Sequence, residues 1–95
     1  MTLRVIVDGN STPGLPGHVR LKEDKTRGGW VILAPERVLM PDEISLEIIR
    51  RCDGETTVDA ICEALAAEFN APQDEIRKDV IDVLQDLADK GFLKV

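Results

Sequence analysis

The residues that most often carry nucleophilic, acid–base or metal chemistry are few in this 95-residue chain. His18 is the single histidine, and the intervals from it to Cys52 and from there to Cys62 match no zinc-binding pattern. The pair Gly28-Gly29 lacks the following helix and lysine of a phosphate-binding loop. No nucleophile stands beside a base in the sequence. We therefore expect no metal, no cofactor and no enzymatic activity.

The two cysteines occupy apolar positions of predicted helices. Free cysteine is among the most buried residue types, and reduced thiols are typical of cytoplasmic proteins, so Cys52 and Cys62 are expected to be buried thiols. No run of about 18 apolar residues is present, which excludes a membrane span. The first residues do not show the layout of a signal peptide. These features predict a cytoplasmic protein.

The formal net charge of −6 is unevenly distributed. Residues 1–51 hold 8 basic and 7 acidic side chains, whereas residues 52–95 hold 4 basic and 11 acidic ones. Nucleic-acid binding needs a basic face, because basic side chains replace the counterions of the phosphates. Residues 52–95 carry a net negative charge, which would repel phosphates, so no nucleic-acid partner is expected.

Three short strands are predicted in the first half of the chain. Residues 18–23 alternate between apolar and charged side chains, which indicates a half-exposed strand. Residues 30–34 are continuously apolar and are expected to be covered on more than one side. Residues 37–40 follow the turn Pro35-Glu36 and end at Pro41. Since proline cannot donate to a strand ladder, this third strand is expected at a sheet edge, where it could accept another chain.

Residues 1–16 are predicted to be a flexible N-terminal tail or linker, because residues 8–17 are rich in Gly, Pro, Ser and Asn. An extra edge strand at residues 3–7 is the alternative. The domain proper is expected to span residues 17–95.

Three helices are predicted in the second half, over residues 42–52, 56–69 and 72–90. Aspartate or threonine stands at the start of the first two, and glycine or asparagine follows the end of each helix. Apolar residues recur at helical spacing in all three. The expected core positions are Ile44, Ile48, Ile49 and Cys52 in the first helix, Val58, Ile61, Cys62, Leu65 and Phe69 in the second, and Ile76, Val80, Val83, Leu84 and Leu87 in the third.

The third helix also carries an apolar shoulder beside its core face, formed by Ile81 and Ala88 with Arg77 between them on the helical wheel. In one interpretation the shoulder packs on the neighbouring hairpin while Arg77 reaches a carboxylate. In the other, the shoulder is one wall of a groove whose second wall is the edge strand. The sequence alone does not decide between these two interpretations.

The order of three strands and three helices, with a Gly-Gly loop, a Pro-Glu turn and Asp-Gly after the first helix, resembles the PqqD family. The resemblance covers about residues 15–95, and its most specific segments are residues 28–36 and 51–54. Met40-Pro41-Asp42 departs from the Leu-Asn type of sequence that is typical of the family at this position. The resemblance implies an α+β, winged helix-turn-helix-like domain: an N-terminal three-stranded antiparallel sheet followed by a three-helix bundle.

The resemblance also implies a function. Family members bind the precursor peptide PqqA in pyrroloquinoline quinone biosynthesis and present it to the radical-SAM enzyme PqqE, without doing chemistry themselves. Some members are fused to the pathway enzyme PqqC. Related recognition domains take the leader peptide as an added strand beside the third strand, against the third helix. A monomer is expected here.

Strand addition obtains affinity from main-chain hydrogen bonds and specificity from side-chain pockets. On this hypothesis Arg77→Glu and Val38→Pro should each weaken peptide binding. The residues expected to bind the peptide are Arg37, Val38, Leu39 and Met40 in the ladder, Val80, Ile81 and Leu84 in the pockets, and Arg77 beside an acidic side chain of the peptide.

Two other classes fit the predicted elements less well, and a third stays open. A nucleic-acid-binding winged helix shares the architecture but conflicts with the acidic third helix. A protein-docking module remains compatible with it. An acyl carrier would need Ser45 to hold the prosthetic arm, and the preceding aspartate of that motif is missing.

Overall fold

The computed structural model describes residues 6–26 and 28–95, which form a three-stranded antiparallel sheet followed by three helices. The α+β architecture predicted from the sequence is confirmed. The strands are β1 (Arg20–Asp24), β2 (Gly29–Ala34) and β3 (Arg37–Leu39), and the helices are α1 (Glu43–Ile49), α2 (Val58–Phe69) and α3 (Gln73–Asp89).

The sheet has the order β1-β2-β3, so β2 is central and β3 is an edge strand. Adjacent residues of β2 point to opposite faces, yet Val31 and Ile32 are 8% and 0% exposed. Both faces of β2 are therefore buried, as predicted from its continuous apolar sequence. The turn Pro35-Glu36 brings β3 back along β2, with Ala34 opposite Arg37. The edge position predicted for the third strand is confirmed.

Helices α1 and α2 begin where short polar side chains satisfy free backbone amides. The Asp42 carboxylate accepts from the backbone N–H of Ser45 at 2.8 Å, and the Thr57 hydroxyl accepts from that of Ala60 at 3.2 Å. Helix α2 ends at Asn70, whose φ of 51° lies in the left-handed region. Helix α1 is shorter than the predicted residues 42–52, because the chain tightens into two three-residue turns directly after Ile49.

The core lies between the sheet and the helices and is built mainly from Ile, Leu and Val, as the 3% aromatic content requires. Most predicted core positions are buried or packed against the core. Two are not: Ile44 is 62% exposed and Phe69 is 54% exposed. Both lie at the ends of their helices, where no further element covers them. Periodicity correctly placed both residues on the apolar face of their helices. It could not show that this face extends beyond the elements that pack against it.

The described part of the N-terminal segment, residues 6–16, packs on the helices, which differs from the tail predicted from its composition. Val7 is 4% exposed, and its N–H donates to the side-chain oxygen of Gln85 at 2.9 Å. The carbonyls of Gly9 and Ser11 accept from backbone amides in the first turn of α2 at 3.1 and 2.9 Å. The segment thus satisfies helix-terminal donors that would otherwise need water. Residues 3–5 of the alternative strand lie outside the described residues.

The glycines of this segment are needed for close approach. A Cβ on Gly9 would lie 2.5 Å from a carboxylate oxygen of Asp59, and one on Gly14 would lie 3.0 Å from the backbone of Gly54. Gly14 also exchanges two hydrogen bonds of 2.9 Å with Lys94. A composition typical of linkers therefore serves here to bring the chain against other backbone segments.

Both cysteines are free and buried, as predicted. Burial, assisted by the negative charge of Asp53, raises the pKa of the Cys52 thiol to about 12. Its S–H donates to the carbonyl of Ile48 at 3.3 Å. Burial also raises the pKa of Cys62. Neither thiol is therefore a reactive nucleophile near neutral pH.

Two aspartates should make the stability of the domain depend on pH in the acidic range. Hydrogen bonds from the backbone N–H and hydroxyl of Ser45 lower the pKa of Asp42, and those from the backbone N–H groups of Thr56 and Glu55 lower the pKa of Asp53. Folded-state values below the ordinary 3.8 mean that both carboxylates stabilise the fold above that pH and lose this effect as the pH falls through their folded values.

We expect urea midpoints to fall as the pH is lowered from about 6 to about 3, and to fall less steeply in Asp42→Asn and Asp53→Asn, whose amides do not titrate. The matched control is Asp74→Asn, which replaces an exposed carboxylate on another helix. A slope that is the same in all four proteins would contradict the assignment.

Candidate functional site

The free edge of β3 is the first feature of the candidate site. In a hairpin with a two-residue turn, the residues that flank the turn form the hydrogen-bonded pair, and the next pair directs its backbone groups away from the partner strand. The register places Ala34 opposite Arg37 and Leu33 opposite Val38. The N–H and C=O of Val38 therefore point outward from the sheet. They are available to an additional strand.

The side chains of β3 alternate between two faces. Arg37 and Leu39 point toward the helices. Leu39 packs against the core, and the Arg37 guanidinium lies 4.5 Å from the centre of the Phe92 ring and donates to the carbonyl of Lys90. Val38, on the other face, is 65% exposed. Arg37 thus ties the edge strand to the chain that follows α3, and Val38 remains open.

A groove of about 160 Å³ lies beside the end of β3, between α1 and α3. Its floor is apolar, and its two carboxylates are already engaged: Asp42 caps α1, and Asp86 pairs with Lys90 at 3.0 Å. We call it the β3 groove. Its lining residues are Leu39, Met40, Pro41, Asp42, Ser45, Ile49, Val83, Asp86 and Leu87.

The structure brings only part of the predicted peptide-binding set to this groove. Leu39 and Met40 line it, while Arg37 and Val38 lie along the same strand. Val80 and Leu84, expected to form pockets, are 1% and 0% exposed and belong to the core. Neither residue lines the β3 groove.

Arg77 and Ile81 lie on the other flank of α3. Arg77 forms an ion pair with Asp59, in the first turn of α2, and its guanidinium lies close to Gly9 of the N-terminal segment. Ile81 is partly buried against the core. At about 100° per residue, Arg77 and Val83 are about 120° apart around the helix. Arg77 therefore does not line the β3 groove, and its predicted pairing with a carboxylate is present.

The α3 residues that do face the β3 groove are Val83, Asp86 and Leu87. Helical spacing predicted core positions for Val83 and Leu87, and Asp86 lies outside that core face. Periodicity placed Val83 at the edge of the core face, Leu87 near its middle and Asp86 on the acidic side. Periodicity does not indicate which side of the core face of α3 lies next to the sheet, because that depends on how α1 and α2 pack.

The placement of Arg77 changes the effect expected of Arg77→Glu. The exchange removes an ion pair between half-exposed side chains and sets two carboxylates together, which should lower the free energy of unfolding by about 1 kcal/mol or less. Peptide affinity should change by about twofold or less, because the side chain does not line the β3 groove. Titration calorimetry with Arg77→Gln as control tests this; a tenfold loss in the folded variant would return Arg77 to the site.

Within the described residues, no group of three or more His, Cys, Asp and Glu side chains could hold a metal ion. Of the helices in this part of the chain, none combines the length and apolarity that crossing a bilayer would require.

Comparison with known proteins shows a family match over most of the chain and similar relatives over nearly all of it. A family profile described as coenzyme PQQ synthesis protein D (PqqD) matches residues 29–93. The chain is 59% identical over 90 residues to a PqqA binding protein of Rhodopseudomonas palustris strain TIE-1, covering 95% of this chain and 88% of that one. It is 44% identical over 86 residues to a PqqA binding protein of Xanthomonas oryzae pv. oryzae, covering 90% and 94%.

Two solved structures are similar in fold. The solution NMR structure of the PqqD truncation of Methylobacterium extorquens PqqCD matches with a TM-score of 0.80 at 34% identity, covering 94% of this chain and 95% of that one. That protein is described as a functional, stand-alone recognition element for ribosomally synthesised, post-translationally modified peptides. The crystal structure of PqqD from Xanthomonas campestris matches with a TM-score of 0.61 at 42% identity, covering 94% and 99%.

Proposed function

This chain belongs to the PqqD family, and from that premise we propose that it binds the precursor peptide PqqA of pyrroloquinoline quinone biosynthesis and does no chemistry itself. The observation that carries the proposal is the unpaired edge of β3 beside an apolar groove. Main-chain groups on that edge can hold a peptide of extended conformation, and the groove can select its side chains. The relatives named PqqA binding proteins supply the identity of the peptide.

In the proposed complex the peptide adds a fourth strand next to β3. The N–H and C=O of Val38 form the central pair of hydrogen bonds with the peptide. The peptide side chains alternate between the two faces of the added strand, and one on the face toward α3 enters the β3 groove. A groove of about 160 Å³ with Leu39, Val83 and Leu87 in its lining suits an aliphatic side chain. The carboxylate of Asp42 at its rim disfavours an acidic one.

The role in the pathway is proposed to be presentation of the bound peptide to the radical-SAM enzyme PqqE, in the cytoplasm. One structural neighbour is part of a PqqCD chain, and a fusion or association with PqqC is compatible with a domain that works beside another enzyme. A monomer is the proposed state, because pairing of two β3 edges would block the edge that the peptide needs.

Amide NMR titration of the labelled chain with PqqA tests the proposal. We expect the largest shift changes at residues 37–40 and at Val83 to Leu87, and small changes in β1. The matched control is a PqqA peptide with proline at alternate positions of the bound segment, which cannot complete a ladder. Shift changes confined to β1 or to the N-terminal segment would contradict strand addition at β3, and their absence at high peptide excess would contradict PqqA binding.

A further inference from the structure

A second apolar concavity lies on the far side of α1 from the β3 groove. All three helices contribute to it, and its volume is about 220 Å³. Its apolar lining comes mainly from Ile44 on α1, Phe69 on α2, and Ile76 and Val80 on α3. We call this concavity the helix pocket.

The two predicted core residues that the fold leaves exposed are both part of the helix pocket. Ile44 and Phe69 are 62% and 54% exposed, and both line this pocket. Val38 and Met40, which are also exposed, belong to β3 and the β3 groove, so strand addition would use them. Strand addition would leave Ile44 and Phe69 uncovered. A contiguous apolar surface of this kind is typical of a protein-binding site.

The charges around the helix pocket are acidic on one side and neutralised on the other. Glu47, on the α1 side, pairs with Arg51 at 3.0 Å and lies 3.9 Å from Arg50. Asp79, on the α3 side, has no ion-pair partner within the described part of the chain. The exposed Glu75 and Asp82 lie one helical turn to either side of Asp79. Asp79 therefore places an unneutralised carboxylate on the rim beside an apolar floor, and α3 continues this acidic row on either side of it.

We propose that the helix pocket docks a basic amphipathic segment of a protein partner, with one or two aliphatic or aromatic side chains in the pocket and a lysine or arginine against Asp79. Apolar floor and acidic rim are complementary to such a segment. A second copy of this chain fits poorly, because a two-fold interface would bring the same acidic row against itself. Since α1 separates the helix pocket from the β3 groove, both sites can be occupied together.

The probe for the test is a synthetic peptide of about three helical turns, with leucine on one face and lysine on the other. The comparison peptide carries glutamate in place of lysine. Amide NMR titration should show shift changes around Ile44, Phe69 and Asp79 with the lysine peptide, and much weaker binding of the glutamate peptide. Residues of β3 should be little affected.

Two variants and a matched control locate the interaction. Phe69→Ser removes part of the apolar floor and Asp79→Lys reverses the rim charge, and each should weaken binding of the lysine peptide about five- to tenfold. Glu63→Lys makes the same charge change, but Glu63 lies about 160° from Leu65 around α2, on the opposite face. It should change binding by about twofold or less. All three side chains are exposed, so the variants should fold, which circular dichroism verifies.

Equal losses from Asp79→Lys and Glu63→Lys would overturn the proposal in favour of nonspecific attraction to an acidic protein. Shift changes at the helix pocket that grow with protein concentration without peptide would overturn it in favour of a second copy. The test does not depend on strand addition, because Val38→Pro should leave the lysine peptide bound while it weakens binding of PqqA.

Discussion

Leu84→Ala should lower the free energy of unfolding by about 2–5 kcal/mol. Leu84 is 0% exposed at the middle of α3 and lies in the cluster that joins the sheet to the helices. Removing three carbons from such a site loses their transfer from water and leaves a cavity that neighbouring residues fill only in part. Since small domains are stable by only about 5–15 kcal/mol, the variant should approach the limit of folding at room temperature. Urea unfolding followed by circular dichroism measures the change.

The control for this prediction is Ile44→Ala, which removes a similar volume from an exposed position and should change stability by about 0.5 kcal/mol or less. The comparison separates the core role that the structure gives Leu84 from the pocket role inferred from the sequence. A Leu84→Ala protein with unchanged stability and weakened PqqA binding would contradict the burial of this residue and support the pocket role.

Val38→Pro should weaken PqqA binding by about tenfold or more while the domain stays folded. The exchange removes the outward N–H of β3, and a main-chain hydrogen bond contributes about 0.5–1.5 kcal/mol. The proline ring also occupies the space in which the added strand would lie. Because this N–H does not pair with β2, and the Val38 side chain is 65% exposed, the hairpin should lose little. Titration calorimetry gives the affinity, and thermal unfolding reports the stability.

Val38→Ala is the matched control, since it shortens the same side chain and keeps the N–H. It should bind PqqA within about threefold of the unmodified chain, a change of about 0.6 kcal/mol. Equal affinity of the proline and alanine variants would mean that the peptide takes no main-chain hydrogen bond from Val38. Strand addition at this edge would then be excluded.

The sequence alone determined the elements and their order. Pro35 and Pro41 bracket a strand that cannot be central, and Asp42 and Thr57 cap helices at the positions where the structure begins them. The continuous apolar run of β2 predicted a strand buried on both faces, as Val31 and Ile32 are. These features are local: each depends on backbone hydrogen bonds and side-chain spacing within a few residues.

The N-terminal segment shows where local reasoning stops. Glycine and proline in residues 8–17 are typical of a linker, but Gly9 and Gly14 allow backbone to approach backbone, and Val7 enters the core. The amides that this segment satisfies belong to α2, which lies about 50 residues further along the chain. The composition of a segment does not predict contacts with residues so far along the chain.

The tertiary structure alone decided which flank of α3 meets the edge strand. Periodicity gives the position of a residue around its own helix axis, so the border positions of α3 could be read from the sequence. The rotation of that helix against α1, α2 and the sheet depends on how all their side chains interlock. That packing places Val83 and Asp86 beside β3, pairs Arg77 with Asp59, and buries Val80 and Leu84.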